Sequence, residues 1–177
     1  MNVYSRLNRP IVVSEYDPSW PQLFERERDR ILAVVGQRVQ IIEHIGSTAV
    51  PNLAAKPTID IGIGLRNLGD ARLCIPPLEE LGYTYEPTFE AEIPDRRFLW
   101  KGTPALHLIH LHLAAVATPT WTRPIAFRNY LRDHPDEAET YAVLKKHLAA
   151  VHGTDIDAYM RGKTAFVQAV LRRAGAP

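Results

Sequence analysis

Cysteine occurs once in the 177 residues, at Cys74, so no intrachain disulfide can form and the fold must rest on a hydrophobic core. Cys74 lies in an apolar run between Leu73 and Ile75 with no base beside it, which predicts a buried, unreactive thiol. Long apolar runs are also missing. No stretch approaches the roughly 20 apolar residues that a membrane-crossing helix needs. The opening MNVYSRLNRP lacks the apolar segment of a secretory leader. Together these absences predict a cytoplasmic protein with no membrane partner. Neither sign of charge dominates: 21 Lys and Arg face 20 Asp and Glu, for a net +1. That balance argues against a nucleic-acid surface but leaves room for a local basic pocket. Apolar residues make up 46% of the chain, enough for one substantial core in a single domain over 1–177.

The pattern along the chain predicts both strands and helices. Ile11–Tyr16 reads as a short strand, and Asp17-Pro18 as the start of a helix with Asp as N-cap. Trp20, Leu23, Phe24, Ile31, Val34 and Val35 form its apolar stripe, and Gly36 its end. Val39–Ile45 and Thr58–Leu65 read as strands around a loop, Gly46–Pro57. In the second of these, Ile59, Ile61, Ile63 and Leu65 share a face that should be buried. Thr58, Asp60, Gly62 and Gly64 share the other, where two glycines leave space for something to approach the backbone. Leu68–Gly82 reads as a helix broken or restarted at Pro76-Pro77. A short strand is expected at Tyr83–Pro87 and an exposed acidic loop at Thr88–Asp95. Arg96–Lys101 and Ala105–Leu113 read as a hairpin through Gly102-Thr103-Pro104. Three helical segments close the chain, over Thr120–Asp133, Pro135–Val151 and Ile156–Ala174. The expected class is α+β: a mixed sheet with flanking helices over about 10–115, then a helical region over about 118–174.

Four features could carry chemistry. Gly46-Ser47-Thr48 directly follows an apolar strand, where bare backbone and hydroxyls suit phosphate. Asp60 follows on the sparse face of the next strand, placed to hold a cation that bridges phosphate oxygens. In LHLIHLHL, His110 and His112 alternate and so share a face with Leu106 and Leu108, while His107 points away. Such a pair can bind metal, contact phosphate or exchange protons. His44 is near enough in sequence to join them in a zinc-like group with Asp60. Finally, Lys56, Arg128, Arg132 and Lys163 are candidate phosphate binders, with Arg128 and Arg132 one helical turn apart. Arg96, Arg97 and Lys101 are further basic groups on the later strands.

The run IEHIGSTAVPNLAAKPTIDI over 42–61 resembles the signature of the GrpB family, also called UPF0157. Tyr16-Asp17-Pro18-Ser19-Trp20 is similar to the family's opening motif, and Asp95-Arg96-Arg97-Phe98 and His110-Leu111-His112-Leu113 to its middle motifs. Phe127–Arg132, Tyr141–Lys145 and Tyr159–Phe166 are similar to its later ones. The resemblance implies a nucleotidyltransferase-like fold in which a Gly-Ser turn holds nucleotide phosphates and acids hold magnesium. Asp60 and His112 would then be the metal residues, and Asp60, His110 and His112 the catalytic ones. It also implies a link to coenzyme A biosynthesis, because the family occurs fused to dephospho-coenzyme A kinase. The chain departs from an active two-acid pattern: Gly62 stands at the second acidic position, His110 and His112 replace the later acid, and Asn129 replaces a common Asp. Two functions are therefore expected: nucleotidyl transfer to an unknown acceptor, or a non-catalytic module that binds a nucleotide or coenzyme A.

Overall fold

The computed structural model describes residues 10–176; the opening segment read for a leader peptide lies outside them. Five strands make one mixed sheet: β1 (Val39–Ile45), β2 (Ile59–Leu65), β3 (Thr84–Tyr85), β4 (Arg97–Thr103) and β5 (Leu106–Ala115), in the order β1-β2-β5-β4-β3. β2 and β5 run parallel, and the other neighbours are antiparallel. Five α-helices accompany the sheet: α1 (Trp20–Val35), α2 (Ala71–Glu80), α3 (Pro119–Asp133), α4 (Pro135–His152) and α5 (Ile156–Arg173). This is the α+β architecture expected. None of the described helices is long and apolar enough to cross a membrane.

Alternation in β2 decides which face of the sheet is core. Ile59, Ile61, Ile63 and Leu65 are each no more than 4% exposed and pack with Trp20, Phe24, Ile31 and Val35 of α1 and Ala71, Cys74 and Leu78 of α2. Cys74 is therefore core, and burial pushes its thiol upward in pKa. The opposite face carries Asp60, His110 and His112. A second core, around Leu53, Leu131, Tyr141 and Val170, ties the 46–57 loop to α3, α4 and α5.

Several local expectations are corrected. Ile11–Tyr16 is not a strand; it makes a single bridge, with Ser14 and Ala55 exchanging N–H···O bonds of 2.9 Å. α1 begins at Trp20 rather than Pro18, while Asp17 accepts the Ser19 N–H at 2.8 Å. Leu23 and Val34 face solvent, because the buried stripe of α1 runs through Glu27 instead. α2 runs unbroken through Pro76 and Pro77, held by Cys74 and Leu78 against the sheet. The 88–95 loop contains a 3-10 turn whose Phe89 is buried on Phe98.

Glu27 is buried because three donors meet it: Tyr83 Oη at 2.8 Å, Lys101 Nζ at 2.7 Å and Arg30 at 3.3 Å. The pair of Tyr83 and Lys101 fixes α1 to the far strands. Removing one donor leaves a buried carboxylate short of a partner. Tyr83→Phe should therefore destabilise the protein by about 1–3 kcal/mol in urea unfolding, whereas Arg30→Ala on the exposed side should change it by less than about 0.5 kcal/mol.

Candidate functional site

Register brings the candidate residues together. Asp60 lies beside Ile45 on one side and beside His110 on the other; His112 lies beside Gly62. The result is one carboxylate oxygen shared by two imidazoles: His110 Nδ1 is 3.3 Å and His112 Nε2 3.2 Å from Asp60 Oδ1. Phe98 packs against both rings, at 5.1 and 5.3 Å.

Gly46 closes the other side of Asp60. Its φ is +71°, and an added Cβ would lie 2.5 Å from Asp60 Oδ2. The glycine at this turn is thus required by the carboxylate as well as by the backbone. Burial alone would raise the Asp60 pKa, but hydrogen bonds and charge from His110 and His112 overcome it and hold the carboxyl well below the usual range. The side chain keeps 28% of its surface open, so the cluster remains reachable.

The outer nitrogens also have partners. His110 Nε2 is 3.1 Å from His107 Nδ1, and His112 Nδ1 is 3.4 Å from Arg96 Nη1. One set of neutral tautomers satisfies every contact: Arg96 donates to His112, His107 to His110, and both latter rings to Asp60. His107 was expected on the other face. A β-bulge shifts the register between Lys101 and Gly102, so Lys101 pairs with Ile109 and Gly102 with His107. The extra residue turns His107 inward, stacked on Trp100 at 4.1 Å. Its sequence signal is Gly102, with φ +134° and no space for a Cβ beside Leu106 O.

A positive group faces Asp60 from the loop and the tail. Lys163 feels burial first, then Lys56, while Asp60 partly offsets both; its pKa falls to about 8. Its ammonium lies 4.5 Å from the Tyr159 ring, and Lys145 lies 4.6 Å from the Tyr141 ring. Each lysine thus covers the tyrosine four residues before it, on adjacent helices. Lys145 is 2% exposed, donates to Ala54 O, and is pushed to about 7 by burial and then by Lys163 and Lys146. Ser47 hydrogen bonds to Tyr141. Among the described residues neither Lys145 nor Lys163 has an ion-pair partner. Lys145, Tyr141 and Tyr159 were not among the predicted site residues; their repeated Tyr-x-x-x-Lys spacing was the available signal. A pocket of about 90 Å³ adjoins the cluster, lined by Lys56, Thr58, His107 and His110 with apolar walls from Pro57, Leu106 and Ile156.

Other candidates are placed elsewhere. Thr48 is buried and its hydroxyl bonds to Thr58 O at 3.3 Å and to His44 Nε2 at 3.0 Å, so it is engaged within the fold. His44 lies on the α1 face of the sheet, stacked on Phe24 at 4.8 Å, and does not join the zinc-like group. Arg128 is buried, with Nη1 held by Glu43 at 2.6 Å and His44 O at 2.7 Å. Arg132 donates twice to Ala49 O, at 2.9 and 2.7 Å. Those two arginines brace the Gly46–Ser47 turn from behind. The space read beside Gly62 and Gly64 is filled by Trp121, 3.1 Å from where either Cβ would stand.

The fold and site define a class: an α+β protein with a His–Asp–His cluster on the open face of a mixed sheet, beside a glycine turn and under a lysine-bearing helical tail. The chain belongs to the GrpB family, matching "GrpB protein" over residues 10–173. It is 38% identical over 161 residues to UPF0157 protein YqkA of Bacillus subtilis, covering 90% of this chain and 46% of that protein. The crystal structure of conserved protein GrpB from Enterococcus faecalis superposes with a TM-score of 0.83 at 39% identity, covering 92% of this chain and 96% of that one. A more distant relative is a dephospho-CoA kinase of Mycolicibacterium paratuberculosis, 29% identical over 187 residues, covering 93% of this chain and 46% of the kinase. The chain thus spans about half the length of YqkA and of that kinase.

Two consequences can be measured. Gly46→Ala combines positive φ with a clash on Asp60, so unfolding stability should fall by about 2–4 kcal/mol, and Asp60→Gly in the same chain should recover about 1 kcal/mol or more of that loss. His44 is lowered to about 4, first by burial, against 6.5 when unfolded. Its unfolded form takes up the proton first, so the His44 contribution to stability should be constant above about pH 6.5 and fall by up to about 3 kcal/mol on acidification to about pH 4. His44→Gln should flatten much of that slope.

Proposed function

We propose that this chain binds a nucleotide or a related phosphate ester in the cleft between the sheet and the helical tail. The observation that carries this reading is Lys163: a half-buried ammonium beside Lys56, without an ion-pair partner among the described residues, facing the Asp60 cluster. Phosphate oxygens would meet Lys56, Lys163 and the Ser47 hydroxyl, and an anion placed there relieves the repulsion between the lysines. The reacting end would lie at Asp60, between His110 Nδ1 and His112 Nε2. Apolar walls at Pro57, Leu106 and Ile156 would take a less polar part of the ligand.

Chemistry at this centre would come from positioning and charge stabilisation, as phosphoryl transfer requires. The nucleotidyl transfer suggested by the resemblance needs two acids on one strand face, and the second position here is Gly62 under Trp121. That packing favours a second reading, a ligand-binding accessory module. The kinase relative supports coenzyme A or its precursor as one ligand for that reading. Magnesium is the cation the resemblance implies. It prefers an octahedral shell of oxygens, whereas Asp60 is one carboxylate between two imidazoles. That donor set does not fit magnesium, so no step is derived through it.

Thermal and chemical unfolding with ATP, ADP, coenzyme A and pyrophosphate tests the reading. A true ligand should add about 2.7 kcal/mol at a hundredfold excess over Kd. Lys163→Met or Ser47→Ala should weaken it about tenfold, a loss of about 1.4 kcal/mol. If no phosphate-bearing compound stabilises the protein, the reading fails. Pyrophosphate release that disappears in Asp60→Asn selects the enzyme, and saturable binding without turnover selects the accessory module.

A further inference from the structure

We propose that Asp60, His110 and His112 form a binding site for a single first-row transition ion of the zinc class. The ligand atoms of the three residues all lie within 4.8 Å of one another. Asp60 Oδ1 is 3.3 Å from His110 Nδ1 and 3.2 Å from His112 Nε2. Ligands about 2.0–2.1 Å from zinc stand about 3.3 Å apart along a tetrahedral edge, a spacing that both Asp60–imidazole contacts already have, while the two imidazole nitrogens lie within 4.8 Å and close on the ion as it enters. Two imidazoles and one carboxylate are a donor set for borderline ions. With three protein ligands, a fourth position stays open for water or a ligand oxygen.

The surroundings hold the ligands in place. Parallel pairing sets His110 beside Asp60, and His112, two residues on along the same face, reaches the same oxygen. Gly46 blocks the carboxylate from behind, and Phe98 fixes both rings. Entry of an ion moves one proton within each neutral ring. His110 takes its proton to Nε2 and donates it to His107 Nδ1, whose own proton moves to His107 Nε2, so the 3.1 Å contact reverses direction and becomes the outer-shell bond usual for a metal-bound histidine. His112 takes its proton to Nδ1, so the 3.4 Å contact from Arg96 must open. No proton is lost from either ring, and the carboxylate is already ionised.

The test uses the full purified chain, stripped with chelator and titrated with Co(II), Zn(II) and Mg(II). Expected are about one equivalent of Co(II) with visible d–d absorption of a low-coordinate nitrogen and oxygen site, its displacement by Zn(II), and no displacement by millimolar Mg(II). Asp60→Asn and His110→Ala should each weaken Co(II) binding by about tenfold or more. Circular dichroism checks that both variants fold, and the near-isosteric Asp60→Asn carries the result if His110→Ala does not. Lys163→Met should keep the metal while losing phosphate ligands, which separates this proposal from the preceding one. Absence of a Co(II) spectrum, equal affinity in folded Asp60→Asn, or displacement by Mg(II) overturns it.

Discussion

The Asp60 carboxylate is the constraint on which the rest of this site depends. It occupies the volume where Gly46 would otherwise carry a side chain, and it takes both imidazole hydrogen bonds on one oxygen. Three separate stretches of chain must therefore arrive together: the end of β1, the start of β2 and the middle of β5. The inner strand pairing achieves this, because Ile45, Asp60 and His110 stand in one row across the sheet. The arginines behind the turn serve the same end. Arg128 holds His44 O and Arg132 holds Ala49 O, on either side of Gly46–Ser47. Arg128 is buried and Arg132 doubly bonded, and both bonds stiffen the turn.

What could be read in the sequence was whatever depended on local periodicity. The strict alternation of TIDIGIGL placed its isoleucines in the core and Asp60 on the other side, and the three closing helices lie within a residue or two of their expected ends. What could not be read depended on partners distant in the chain. Strand propensity in Ile11–Tyr16 gave way because Ser14 finds only Ala55 to pair with. The glycines of β2 looked like open space, but the space belongs to Trp121, 57 residues beyond Gly64 in the chain. His107 was misplaced because one bulge reverses alternation, and only the positive φ required of Gly102 marks it. Likewise Arg128 has the chemistry of an anion binder, and nothing in its neighbours announces that Glu43 and a backbone carbonyl will hold it.

The helical tail and the sheet contribute opposite charges to one cleft. The sheet supplies Asp60 and its two imidazoles, while the tail supplies Lys145 and Lys163, each lying over a tyrosine ring. Burying ammonium groups costs free energy unless something compensates. The tyrosine faces offset part of that cost, and a carbonyl takes one proton of Lys145. Burial lowers both lysines first, with Lys163 adding to the fall at Lys145 and Lys56 to the fall at Lys163. A fold seldom retains such an arrangement for stability alone, since apolar residues of similar size would pack as well.

The same geometry argues against treating this centre as a two-acid site that has merely lost an acid. At position 62 a Cβ would stand 3.1 Å from Trp121 and 3.5 Å from Ile45, so a carboxylate there would displace a core aromatic. Gly62 and Trp121 are thus parts of one solution, in which an aromatic ring from α3 fills the space a second carboxylate would need. Exchanging that acid for a neutral ring removes a negative charge from the cleft and hardness from the donor set. Both changes point the same way: fewer hard oxygens to hold magnesium, and less repulsion toward phosphate.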